Sequence, residues 1–301
     1  MATVRHIKST EGACFQEGAV GSARFEDTLE LTGVKKQTLK GFGGCFNELG
    51  WQAVGLLAGE DRKAFLDELF LEENCGFSYG RIPIGANDFS LEWYSCDETR
   101  DDYELKDFTI DRDREYTIPF IREATARRKD FWLFASPWSP PAWMKTKPVY
   151  NFGTLRMEET VLDCYARYFA RFVEAYQAEG LSIRQVHVQN EPMADQKFPS
   201  CKWSGPDMRD FIRDYLGPVF EKQGLDTEIW LGTINGPFVD ILMGPQTLFS
   251  EFYDQFINTV LSDKKARGYI SGVGLQWGGK HVLEQIEAAW PEMRILQTES
   301  E

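Results

Sequence analysis

Short apolar runs alternate along most of this chain with stretches whose apolar residues recur every three or four positions. The runs fall at 39–46, 79–84, 131–135, 183–189, 228–233, 273–277 and 294–298. The stretches between them, at about 61–73, 115–128, 158–179, 205–222, 247–262 and 279–290, carry helical spacing; in the first, residues 65, 66, 69 and 70 form one packing face. A strand that is apolar at nearly every position is buried on both faces, and a helix between two such strands is long enough to carry the chain back across the sheet. This pattern predicts parallel pairing with right-handed crossovers. The expected fold is therefore α/β, a (β/α)8 TIM barrel in which seven strands are visible and an eighth is missing from the sequence.

The seventh run ends almost at the last residue, Glu301. Three explanations are open: a truncated chain, an incomplete gene product, or an open sheet that never closes. An unclosed barrel exposes unpaired strand edges, so a missing C-terminal segment or a complementing chain is expected to cover them. Ahead of the repeat, residues 1–38 are polar and weakly alternating, and Leu29, Leu31 and Val34 suggest strands outside it. The boundaries read 1–38 for an N-terminal segment and 39–301 for the barrel. At Ser204-Gly-Pro-Asp207 a hydroxyl can cap free amides and an acid favours the positive helix end, which marks a helix start.

Composition narrows the function. With 43% hydrophobic and 14% aromatic residues the chain can bury a large core. A net charge of −14 and the lack of a long Lys/Arg cluster argue against nucleic acid and anionic membrane as partners, and a neutral substrate fits better. No run approaches the ~20 apolar residues needed to span a bilayer, so integral membrane association is not expected. Six cysteines lack paired spacing, and the N-terminus does not read as a signal peptide. A cytoplasmic protein with reduced thiols is expected, or a secreted one if a signal has been removed. The three histidines, His6, His187 and His281, lack metal-ligand spacing; His187, inside an apolar run, reads as a hydrogen-bonded core residue. No metal or cofactor is called for. Gly41-Phe-Gly-Gly44 lacks the Lys-Ser/Thr of a phosphate loop and reads as close backbone packing.

The strand ends carry the chemistry. Parallel strands gather their C-terminal ends at one mouth, and two of the runs end on glutamates, Glu191 and Glu299. A proton donor facing a second carboxylate is what glycoside cleavage requires: carboxyl groups ~5–5.5 Å apart give retention and ~6.5–9.5 Å give inversion. Glu301 competes with Glu299 on sequence alone. Pro192 disfavours helical backbone at Glu191 and is expected to keep it extended, while Asn190 offers an amide to a sugar hydroxyl. Trp138 and Trp143, in a proline-stiffened loop, are candidate platforms for the apolar face of a sugar. Asp88 and Trp277 close two further strands. The alternative is a carbohydrate-binding or interaction protein without turnover.

The segments Gly41-Phe-Gly-Gly44, Arg81-Ile-Pro-Ile-Gly-Ala-Asn-Asp-Phe-Ser90, Ala135-Ser-Pro-Trp-Ser-Pro-Pro-Ala-Trp-Met-Lys145, Asn190-Glu-Pro192, Arg209 to Pro218 and Thr298-Glu299 together resemble glycoside hydrolase family 30, the glucosylceramidase-like enzymes. The resemblance runs from about residue 38 to the end. It implies a retaining barrel enzyme acting on β-glucosides, β-glucan or glucosylceramide-like substrates without a cofactor. It also implies a side β-domain built from both chain ends, to which residues 1–38 would belong. By it, Glu191 is the acid/base, Glu299 the nucleophile, and Asp88, Trp138, Asn190 and Trp277 contact the sugar. One departure stands out: many relatives have His-Trp-Tyr where this chain has Gln276-Trp277-Gly278. The polar, cationic loop from Met193 to Lys202 favours soluble β-glucosides or β-glucan fragments over a lipid-linked substrate.

Overall fold

A computed structural model describes residues 6–18, 30, 32–35, 37–235 and 253–300. They fall into two compact units, residues 1–40 and 41–301. In the first, β1 (Ile7–Thr10) and β2 (Ala13–Glu17) form an antiparallel hairpin with Lys8 opposite Gln16. Of the three apolar residues expected to mark strands here, Val34 lies in no strand, and Leu29 and Leu31 fall outside the described residues. Isolated apolar residues without sustained alternation do not specify pairing; the turn at Glu11-Gly12 does.

The second unit is one parallel sheet of seven strands in chain order: β3 (Gly43–Cys45), β4 (Tyr79–Pro83), β5 (Trp132–Ser136), β6 (Ile183–His187), β7 (Glu228–Ile234), β8 (Ile270–Gln276) and β9 (Arg294–Glu299). Each coincides with one of the seven apolar runs. The intervening helices include α1 (Glu48–Gly55), α2 (Gly59–Phe70), α3 (Asp111–Glu115), α4 (Thr117–Arg127) and α5 (Glu159–Ala178). They continue with α6 (Gly205–Phe211), α7 (Gly217–Gln223), α8 (Tyr253–Ser262), α9 (Lys264–Tyr269) and α10 (Leu283–Ala289). The helix expected at 205–222 starts where Ser204 Oγ accepts from the Asp207 amide at 3.2 Å. It relaxes into a π turn at Ile212–Leu216 before Pro218, whose ring and missing amide disrupt a regular α-helix. Gly217 is needed there, since a Cβ would lie 2.3 Å from the Tyr269 ring.

The sheet curls strongly. Arg81 on β4 and Glu299 on β9 are five strand steps apart, about 24 Å in a flat sheet at ~4.8 Å per step. Their side chains nevertheless meet at 2.7 Å. The sheet is therefore most of a barrel wall, and among the described residues β3 and β9 each pair on one side only. The interior is tight: His187 is fully buried, packs against Phe134 and Trp230, and lies where a Cβ on Gly274 would sit 2.3 Å from its Nδ1. Its Nε2 lies 3.3 Å from Gln185 Oε1, and burial holds its pKa well below the ordinary value. It is a core residue.

On the outer layer, α5 buries Tyr165, Tyr168, Phe169, Phe172 and Tyr176 against the sheet. Its hydroxyls also anchor the long loop that follows β4. Tyr168 accepts from the Cys96 amide at 2.9 Å, and Tyr176 donates to buried Asp113 at 2.7 Å. Five cysteines, Cys45, Cys75, Cys96, Cys164 and Cys201, are free thiols. Among the described residues no helix is long and apolar enough to cross a membrane.

Candidate active site

At the C-terminal ends of the strands lies a cavity of about 260 Å³ lined by Asp88, Trp138, Asn190, Glu191, Gln196, Phe198, Asn235, Trp277 and Glu299. Asp88, Trp138, Asn190, Glu191, Trp277 and Glu299, singled out from the sequence, are among them, whereas Glu301 falls outside the described residues. They come from the ends of β4, β5, β6, β8 and β9, as parallel topology requires.

The centre of the site is a buried guanidinium. Arg81 points inward from β4, 3% exposed, beneath the ring of Trp138 at 4.3 Å. It donates to Glu299 Oε2 at 2.7 Å, to Asn190 Oδ1 at 2.6 Å and to Ser136 Oγ at 2.9 Å. Thr233 Oγ1 donates to the same Asn190 oxygen at 3.0 Å, and Gln276 Nε2 donates to it at 2.9 Å. With Oδ1 committed to this network, the amide orientation is fixed, and its NH₂ end is the one free to turn toward the cavity.

Glu299 gathers donors. Besides Arg81 it accepts from Trp277 Nε1 at 3.2 Å and from Gln276 Nε2 at 3.4 Å. These are contacts suited to an ionised carboxylate. The residue departing from the family pattern, Gln276, therefore still supplies a donor beside Glu299, but a neutral, non-titrating one.

Glu191 is held differently. Its backbone is left-handed, with φ of 47°, rather than extended. The amide of Glu191 donates to Thr233 O at 2.8 Å and its carbonyl accepts from the Ala194 amide at 2.9 Å, which pins this turn. Pro192 excludes right-handed helix as expected, but the bonds to β7 select the left-handed alternative over the extended one. Desolvation, reinforced by the charges of Glu299 and Asp88, pushes the Glu191 carboxyl up to about 7, against the opposing effects of Arg81 and a hydrogen bond from Asn235. Asp88, at the rim, is also raised, mainly by desolvation. Within one cavity, Glu191 is thus pushed toward its protonated form while Glu299 accepts three hydrogen bonds.

Trp143 does not belong to the site. It is 8% exposed, donates from Nε1 to Asp97 O at 3.1 Å and packs edge-on against Tyr103. An indole reads the same in sequence whether it faces sugar or core; here the loop after β4 supplies its partners. Conversely, Arg81, Ser136, Thr233 and Gln276 were not singled out as site residues, nor were Gln196, Phe198 and Asn235. Arg81 carries a signal in sequence, a cation inside an apolar run, and Gln276 another, the departure from the family pattern.

The profile of the glycosyl hydrolase family 30 TIM-barrel domain matches residues 39–301. The chain belongs to glycosyl hydrolase family 30. It is 33% identical over 250 residues to putative glucosylceramidase 3 of Caenorhabditis elegans, covering 81% of this chain and 46% of that protein. It is 29% identical over 202 residues to an endo-1,6-beta-D-glucanase of Neurospora crassa, covering 65% and 42%. Among solved structures, the endo-beta1,6-glucanase BT3312 superposes with a TM-score of 0.76 at 30% identity, covering 87% of this chain and 57% of that one. The chain spans about half the length of the curated relatives it matches.

Proposed function

We propose that this family 30 chain carries the catalytic centre of a retaining β-glycosidase, with Glu299 as nucleophile and Glu191 as acid/base. The observation that carries the reading is the unlike treatment of two glutamates at one cavity: Glu299 has three donors, whereas desolvation raises Glu191 to about 7. In the first step Glu299 attacks the anomeric carbon as Glu191 transfers its proton to the leaving oxygen. In the second, Glu191 takes a proton from water, whose oxygen displaces Glu299 and restores the β-configured sugar. Asn190 and Asp88 hold sugar hydroxyls, and Trp138 and Trp277 supply aromatic wall. The substrate is a β-glucoside, and the two kinds of named relative make β-1,6-glucan fragments and glucosylceramide-like lipids the classes to compare. The polar Gln196 in the lining favours the former.

One observation supports a second reading. Glu299 lies on β9, which pairs only with β8 among the described residues, so its strand has less support than the one bearing Glu191. A chain in which that strand shifts would bind sugar without turning it over. Incubation with 2-deoxy-2-fluoro-β-glucosyl fluoride followed by peptide mass spectrometry tests the choice. A fluoroglucosyl adduct on Glu299 is expected. Reversible sugar binding with no adduct would establish the second reading instead.

A further inference from the structure

The two cavity residues that no strand end supplies, Gln196 and Phe198, sit in the loop after β6, and a buried ammonium ties this loop to its neighbour. Lys145, just after the short 3-10 turn Ala142–Met144, is 2% exposed. Its Nζ donates to Ser200 O at 2.6 Å and Tyr150 O at 2.8 Å, one carbonyl from each loop. No direct ion pair to it is seen among the described residues; the charge of Asp195, which caps Gly153 N in the same clasp, acts on it from a distance and only partly offsets its desolvation. Around this ammonium the two loops are stitched together. Ser200 N donates to Tyr150 O at 3.0 Å, Lys202 N to Gly153 O at 2.8 Å, and Gly153 N to Asp195 Oδ1 at 2.8 Å. Ser200 Oγ accepts from the amides of Gln196 and Phe152, both at 3.0 Å, so Gln196 is held directly.

A lysine is costly to bury without a counter-charge, and burial lowers its pKa to about 8. Apolar side chains would close the same space with less penalty, but they could not bind two carbonyls from separate loops. The clasped loop is also the one that continues from Glu191. On the proposed mechanism Glu191 stands beside the glycosidic oxygen, and Gln196 and Phe198 line the same cavity from the loop that continues from it.

We propose that Lys145 is a positioning residue for leaving-group recognition: by clasping the 145–155 and 193–203 loops it sets Gln196 and Phe198 against the departing sugar. This deepens the glycosidase reading and rests on it. It acts on the half of the substrate that leaves, not on the ring attached to Glu299.

The test compares two substrates of the full chain. Gentiobiose, a β-1,6-linked disaccharide, places a sugar on the leaving side, whereas β-glucosyl fluoride has a leaving group too small to reach Phe198. Lys145→Met is expected to lower kcat/KM for gentiobiose about ten-fold, mostly through KM, and to change the fluoride by less than about two-fold. In a Phe198→Ala background the further effect of Lys145→Met on gentiobiose should largely vanish, because both act through one wall. Equal losses on both substrates, no loss on either, or full additivity with Phe198→Ala would each overturn the proposal. Should Lys145→Met fail to fold, Ser200→Ala, which removes the tie to the Gln196 amide, carries the same expectation and the same overturning outcomes. If the unaltered chain turns over neither substrate and binds no glucose-like iminosugar, it is the glycosidase reading that fails.

Discussion

The walls around Glu191 and Glu299 are built on opposite principles. Around Glu299 the protein places donors: a guanidinium from β4, an indole and an amide from the end of β8. Around Glu191 desolvation prevails, and the charge of Arg81 and a hydrogen bond from Asn235 only partly offset it and the repulsion of Glu299 and Asp88. The backbone differs too: Glu299 is the last residue of β9, whereas Glu191 occupies a left-handed turn with φ of 47°. Identical side chains are thus given different surroundings by position alone. On the proposed reading the donor-rich strand end suits a nucleophile, and the desolvated turn suits a carboxyl that keeps its proton near neutral pH.

The largest effect should come from breaking the donor-rich side. Glu299→Gln keeps the shape and two of the hydrogen-bond directions but cannot form the glycosyl ester, so turnover of aryl β-glucosides should fall by at least about 10⁴-fold. Circular dichroism should be unchanged, and residual turnover near the original rate would remove Glu299 from the mechanism. The desolvated side should break more gently. Glu191→Gln should cost about 10²–10⁴-fold on substrates whose leaving group needs a proton. With dinitrophenolate, which leaves unaided, the first step should survive. Added azide should then restore turnover and yield a β-glucosyl azide. An α-azide, or no rescue, would deny Glu191 the acid/base role.

The same contrast explains what the sequence revealed. Seven strands were readable because strands buried on both faces are apolar at almost every position, and the two glutamates because parallel topology brings strand ends to one mouth. The network that distinguishes them was not readable. Arg81 announces in sequence only that a buried cation needs partners; that these are Ser136, Asn190 and Glu299, as much as 218 positions away, depends on how far the sheet curls. Thr233 and Gln276 look like ordinary strand polar residues until the curl brings them to Asn190. Trp143 failed for the reverse reason, because its partners in the loop after β4 turn it into core. Local helix α1 was overlooked, although Asn47 caps it by accepting from the Gly50 amide at 2.7 Å.

The subtlest way to sharpen the comparison is through pH. The Glu191 carboxyl, raised to about 7 in the folded chain, must be protonated for the first step, so kcat/KM for an unactivated glucoside should decline as pH climbs through about 7. The same shift acts on stability. Because the folded value lies above the unfolded one, the group favours folding fully below pH ~4.5, and that contribution is lost as pH rises through about 7. Glu191→Gln, neutral throughout, escapes this loss. It should match the unaltered chain in thermal stability at pH 4 and exceed it at pH 8, by about 3 kcal/mol at ~1.4 kcal/mol per pKa unit. Glu299→Gln removes one of the charges that raise Glu191, so it should shift the inflection of a Glu191-reporting titration downward but leave it above the ordinary glutamate value, since desolvation is the larger cause. A Glu191 that titrates normally in both proteins, with no stability gain for Glu191→Gln at pH 8, would show that the two sides of the cavity differ in contacts but not in electrostatics.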